Sequence, residues 1–198
     1  DWSFRRSKWF NAIEKECRNV RENVGLLDMT AFAKCRIKGP KAEEFLDNLV
    51  ANKLPKKVGR INLCHALNTK GGVHSEFTIM RESENSFYLV SAGAFQRLDH
   101  DWILKWMPKD GSVQFENLTN STGVLVVSGP KARELMTRVS NDDFSNENFK
   151  WLSAKNVDVG YAPVNAMRVN FVGELGWELH HPIEYQNHKF DKLMEAGQ

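Results

Sequence analysis

The chain has 198 residues, 41% hydrophobic and 26% charged, with 27 Lys and Arg against 25 Asp and Glu. That is enough apolar material for a genuine core in one or two domains, and it excludes disorder, collagen and coiled coil. No apolar run reaches the roughly 18 residues that span a bilayer, and a net charge of +2 on scattered Lys and Arg offers nucleic acid no field, so neither membrane nor nucleic acid is expected as a partner.

In chain order, residues 1–24 read as an N-terminal segment ending in an amphipathic helix, with Trp2, Phe4, Trp9 and Phe10 as an aromatic cluster that packs on a core or a neighbouring domain. An apolar strand, AKCRIKG, then runs into Gly39-Pro40, and proline suits the first helical turn because its missing N–H has no partner there. The helix that follows places Ala42, Phe45, Leu46 and Leu49 on one buried face. Two strands around a glycine turn come next (INLCHAL, NTKGG, VHSEFTIM), then a strand FYLVSA and an amphipathic helix GAFQRLDHDWILKW.

The second half repeats this order. VSGPKAREL at 127–135 answers IKGPKAEEF at 37–45 with an offset of 90 and predicts a helix buried through Leu135, Met136 and Val139. A second match pairs Asn68, Gly71 and Glu76 with Asn170, Gly173 and Glu178 at an offset of 102, the extra 12 residues being assigned to the polar loop NDDFSNENFK. The expectation is an α+β fold of duplicated β-α-β-β-α units with largely antiparallel sheets, a first repeat over 25–120 and a second over 121–198 that stops in its last helix. The start at Asp1 and the end within a helix suggest part of something longer.

Cys17, Cys35 and Cys64 are odd in number and form no C-x-x-C pair, so neither a disulfide framework nor a zinc site is expected, and a reducing cytoplasmic setting fits best. His180 and His181 are adjacent and point to opposite faces of a strand, while His65 and His74 straddle a hairpin without a third ligand, so no metal is assigned. Glu76 and Glu178 stand out as carboxylates inside apolar strands, and such a glutamate is salt-bridged, exposed on the wet face of its strand, or assigned a task. If the copies are related by a pseudo-twofold, both point into one central crevice. There one glutamate can grip a ring rich in N–H donors, such as an aminopyrimidine, and the other can hold or shuttle a proton.

VGLLDMTAFAKCRIKGPKAEEFLDNL, ALNTKGGVHSEFTI and RVNFVGELGWELH resemble the folate-binding family of glycine-cleavage T-proteins, the aminomethyltransferases, most closely in the form found in the C-terminal half of dimethylglycine and sarcosine dehydrogenases. The resemblance implies the T-protein folate-binding fold without its C-terminal barrel domain, tetrahydrofolate as cofactor, and transfer of one carbon from an N-methyl amine oxidised by an upstream FAD domain of the same protein. It also implies a downstream domain that completes the folate site. FAD itself is expected only outside this chain, which lacks G-x-G-x-x-G.

Carried over by position, the resemblance makes Glu76 the catalytic acid in place of the usual aspartate, and Glu178 the pterin-gripping glutamate. It makes Leu63, Val90 and Phe32 apolar folate contacts. Ala92 stands where many members have Asn, and Phe171 replaces a Tyr. Two other readings share the fold: a non-catalytic folate-fold module, and a flavin-independent tetrahydrofolate-dependent demethylase or aminomethyltransferase.

Overall fold

The computed structural model describes residues 6–198, so Trp2 and Phe4 of the aromatic cluster lie outside the described residues. Helix α1 (Phe10–Glu22) buries none of its residues, and Trp9 ahead of it is 44% exposed. The ten strands that follow form two five-stranded sheets.

The first sheet runs β3 (Ile61–Leu67), β4 (Val73–Ser83), β5 (Ser86–Ser91), β2 (Ala33–Lys38), β6 (Gln114–Asn117), and the second runs β1 (Gly25–Asp28), β7 (Thr122–Ser128), β10 (Gly176–Pro182), β9 (Ala162–Met167), β8 (Ala154–Val159). Each strand pair whose register is defined is antiparallel. Strand alternation gives each sheet two apolar faces. Cys35, Ile37, Phe77 and Leu89 point to α2 (Ala42–Leu49) and α3 (Gln96–Trp106), packing on Phe45, Leu46 and Ile103. On the second sheet Leu125, Val127, Trp177 and Leu179 meet Leu135, Met136 and Leu193 of α4 (Ala132–Val139) and α5 (Gln186–Ala196). A third cluster of Ile61, Met80, Tyr88, Val90 and Met167 lies between the sheets. The layers are therefore helix, sheet, sheet, helix, which is the α+β arrangement with antiparallel sheets expected from the alternation.

The duplication is visible in the topology and corrects half of its sequence argument. Gly39 and Gly129 both adopt positive φ, +131° and +135°, at equivalent strand-to-helix corners. The offset of 90 returns at β5 and β10, where Tyr88 faces Arg36 and Glu178 faces Val126, and it continues to α3 and α5, which begin at Gln96 and Gln186. The offset of 102 does not survive. The hairpin β3–β4 is answered by β8–β9, not by β9–β10, so Glu76 and Glu178 occupy non-equivalent strands and no net 12-residue insertion exists. The slip arose at β8, AKNVDV, which is a sheet edge with exposed Lys155, Asn156 and Asp158 and therefore lacks an apolar signature.

Counted by the offset of 90, β6 is the counterpart of β1 and opens the second unit, ahead of the start at 121 expected from the sequence, and each unit then lends a strand to the other. β1 precedes β2 in the chain yet pairs with β7, and β6 precedes β7 yet pairs with β2. The carbonyl ahead of each exchanged strand closes the other unit's helix start: Lys41 N–H donates to Ser112 O at 3.3 Å, and Lys131 N–H donates to Asn23 O at 2.9 Å. A Cβ on Gly39 would sit 2.3 Å from Ser112 O, and one on Gly129 2.4 Å from Asn23 O. Both glycines are thus required twice, by φ and by space. Gly129→Ala is expected to lower unfolding stability by roughly 2–4 kcal/mol, measured by urea denaturation; an unchanged midpoint would refute the close-approach argument.

Two lysines are buried, Lys189 donating to Pro163 O at 2.9 Å and Lys34 to Thr30 O at 2.7 Å. Burial, opposed by Asp158, lowers Lys189 from 10.5 to about 7, and burial opposed by Asp28 lowers Lys34 to about 8. From about 7 upward the unfolded chain therefore holds a proton that folded Lys189 has released, so stability rises with pH until the unfolded value is passed. Lys189→Met is expected to remove the part of this rise that begins near pH 7 and to keep the part owed to Lys34, as read from melting temperatures between pH 6 and 10.

Candidate functional site

β10 carries the strongest polar signal in the core. Trp177 and Leu179 point to the helices, so Glu178 and His180 point to the other sheet. The Glu178 side chain is only 8% exposed. Its Oε2 lies 3.1 Å from His180 Nε2, and His180 Nδ1 lies 2.9 Å from the hydroxyl of Tyr88 on β5. His181, one residue on, turns the opposite way to Leu179 O and Gln186 Oε1, both at 2.7 Å.

Glu178 forms part of the wall of a 760 Å³ cavity between α1, β1 and the loop that follows β9. Its lining is mostly apolar, with Cys17, Val20, Leu27 and Val126, and Asn170 and Phe171 enter from the loop. Asn170 is fixed by donating to Ser128 Oγ at 2.7 Å while its Oδ1 accepts the Val172 N–H at 2.8 Å. Phe171 is 83% exposed at the mouth. A second cavity of 480 Å³ lies across the inter-sheet layer and includes Tyr88, His180, Arg36 and Glu82 in its lining. Arg36 is held there by two carboxylates, donating to both oxygens of Glu82 at 2.6 and 2.9 Å and to Glu116 at 2.9 Å, and these bonds hold its guanidinium above its ordinary range.

The remaining site residues named from sequence divide into two groups. Val90 is buried in the inter-sheet cluster and Phe32 packs against it. Leu63, Glu76 and Ala92 are exposed positions of the first unit and are not in the lining of the Glu178 cavity. Glu76, like Met80 four residues later, belongs to the inner face of β4, but its side chain is 61% exposed. Its Oε2 sits 2.9 Å from His65 Nε2, whose other nitrogen lies 3.3 Å from Asn52 Oδ1. His74 instead stacks on Trp102 of α3 with centroids 4.0 Å apart.

Sequence reasoning pointed both carboxylates into one central crevice; both belong to inner faces, but of the two only Glu178 lines the cavity, and what surrounds Glu178 was missed. His180 was weighed only as half of an adjacent pair, and Tyr88 not at all. The offset of 90, applied to Glu178 rather than to the glycines alone, points to Tyr88.

Comparison with known proteins agrees with this architecture. The sequence profile of the GCVT N-terminal domain matches residues 1–198. Over 99% of its length the chain is 39% identical to dimethylglycine dehydrogenase, mitochondrial, of Homo sapiens and 32% identical to pyruvate dehydrogenase phosphatase regulatory subunit, mitochondrial, of Mus musculus, and it spans 23% of each. Among solved structures it is similar to the glycine cleavage system aminomethyltransferase T of Bartonella henselae, with a TM-score of 0.79 and 22% identity, over 91% of this chain and 48% of that one. Two sheets with exchanged edge strands, built on the repeated Gly-Pro corner, are thus the T-protein fold, and the chain belongs to the GCVT N-terminal domain family.

Proposed function

We propose that this chain is the folate-binding portion of a dehydrogenase of the dimethylglycine or sarcosine type, in which one carbon passes from an N-methyl amine to tetrahydrofolate. The observation that carries the reading is a buried carboxylate, Glu178, on the wall of a largely apolar 760 Å³ cavity. Its Oε2 is engaged by His180, and its Oε1 has no hydrogen-bond partner among the described residues. An aminopyrimidine edge is a row of N–H donors, so the group fits this wall in kind. The 39% identity to a dimethylglycine dehydrogenase supports the amine class. The flavin that oxidises the amine belongs, in this reading, to an upstream domain, and a downstream domain completes the folate site. The mitochondrial names of relatives fit the reducing setting expected from free Cys35 and Cys64 as well as the cytoplasm does.

Each residue then has a separate task. Glu178 accepts from the pteridine edge and Phe171 covers the mouth of that cavity; Val90, Phe32 and Leu63 lie outside its lining, so their apolar contact is with the part of the ligand that extends from the cavity toward the first unit. Ala92 contributes no polar contact. Glu76 is the catalytic carboxylate, open to water and within 2.9 Å of His65, a pair suited to receiving a proton as the carbon changes nitrogen and passing it to solvent. Tetrahydrofolate supplies the nucleophilic nitrogens that take up the carbon.

A second reading, a folate-fold module without catalysis, is favoured by one observation: a relative 32% identical over 99% of this chain, which covers 23% of that relative, is named a regulatory subunit. In the full-length protein, Glu76→Gln is expected to lower kcat for folate-dependent product 10²–10⁴-fold with little change in KM, and an unaltered rate would favour the module. Glu178→Gln is expected to weaken reduced-folate binding at least tenfold by calorimetry, because an amide presents its own donor to the ligand's donors. The isolated 198 residues are expected to bind reduced folate more weakly than micromolar, and a titration giving micromolar or tighter binding would contradict the need for further domains.

A further inference from the structure

Tyr88, His180 and Glu178 form one hydrogen-bonded file across the layer between the sheets. His180 and Glu178 side chains are 2% and 8% exposed, and Tyr88 is 3% exposed, so each member depends mainly on its neighbours in the file for its hydrogen bonds. The file joins two cavities, since Tyr88 and His180 are among the residues lining the one of 480 Å³ and Glu178 lines the one of 760 Å³.

The direction of its hydrogen bonds follows from chemistry. Burial, reinforced by Glu82 and Glu178, pushes the Tyr88 phenol well above its ordinary range, so its oxygen keeps a proton and is the donor. His180 Nδ1 is then the acceptor, and the ring N–H that faces Glu178 is the one on Nε2, which donates to Glu178 Oε2. The reverse arrangement leaves the Tyr88 O–H without an acceptor and sets a bare ring nitrogen against a carboxylate oxygen.

We propose that Tyr88 and His180 are positioning residues that fix the His180 Nε2–H tautomer and commit Oε2 of Glu178 to it, so that the carboxylate meets its ligand as a rigid acceptor selective for N–H edges. This rests on the reading of Glu178 as the ligand-gripping residue. The selectivity arises because a ligand offering an acceptor to this wall meets a carboxylate whose orientation is already fixed from behind, with no proton to give. The file crosses between the repeats only once. The positions answering Tyr88 and His180 in the other unit are Glu178 and Val90, and valine cannot continue a hydrogen-bonded chain.

The test uses the 198-residue chain labelled with nitrogen-15 in histidine, together with titrations of 5-formyltetrahydrofolate into the millimolar range. In the parent chain His180 is expected to show the neutral Nε2–H pattern, in Tyr88→Phe a mixture of tautomers, and the melting temperature is expected to move by only a few degrees. Folate binding should weaken about tenfold in Tyr88→Phe, as for loss of one hydrogen bond in a charged network. His180→Ala removes the middle member of the file and should weaken folate binding about tenfold, which tests the proposal even if Tyr88→Phe fails to fold; binding as tight as the parent's in a folded His180→Ala chain would overturn it. An Nδ1–H tautomer in the parent chain overturns the proposal. So does a Tyr88→Phe chain that folds and binds folate as tightly as the parent while Glu178→Gln binds more weakly. Were Glu178→Gln to leave binding unchanged, the ligand-gripping reading itself would fall, and the tautomer measurement would still decide the file.

Discussion

A carboxylate between two apolar sheet faces costs several kcal/mol unless hydrogen bonds replace its water, and that constraint organises the centre of this molecule. Glu178 meets it through His180, and His180 meets its own need through Tyr88, which belongs to the other sheet. The partner of a residue in the second unit is therefore supplied by the first, so the sheets must dock with β5 against β10. The apolar contacts around it, Met80 with Val90 and Met167, are compatible with several sliding positions of one sheet over the other, whereas a hydrogen-bonded file is compatible with one.

The exchanged edge strands impose a second, independent registration. The backbone of residues 112 and 23 lies against Gly39 and Gly129, and each unit's helix start is completed by the other unit's chain. Neither half can close its sheet, or satisfy its first helical N–H groups, without the other. The two repeats thus fold as one body although each has its own helix-side core.

These features were unequally legible in the amino-acid sequence. The Gly-Pro corners were, because the backbone there tolerates no side chain and the proline needs no donor, which leaves the same residues in both copies. Helix faces such as Ala42, Phe45, Leu46 and Leu49 were, since burial on one side imposes a period of 3.6. Strand β8 was not: as an edge it needs apolar residues on one face only, and Asn156 and Asp158 hide it among loop residues. Its loss displaced the hairpin register and paired Glu76 with the wrong strand. The exchange of β1 and β6 left no local trace, because a four-residue strand carries no mark of which neighbour it will pair with. His180 and Tyr88 were invisible as a pair because the bond between them spans 92 positions and only the three-dimensional fold makes them neighbours.

Loss of the symmetric equivalence between Glu76 and Glu178 strengthens the division of labour between them. Carboxylates at equivalent positions would share an environment and hence a chemistry. Here one is buried and held from behind by His180, while the other stands 61% exposed beside an imidazole. An exposed pair of this kind adds little to stability, so its geometry is free to serve proton exchange with solvent. A buried, singly oriented carboxylate is poorly placed for such exchange and well placed for recognition. The true counterpart of Glu178 is Tyr88, so at this pair of equivalent positions one unit presents a hydroxyl that donates and the other a carboxylate that accepts, and the central layer is asymmetric at its most buried polar point.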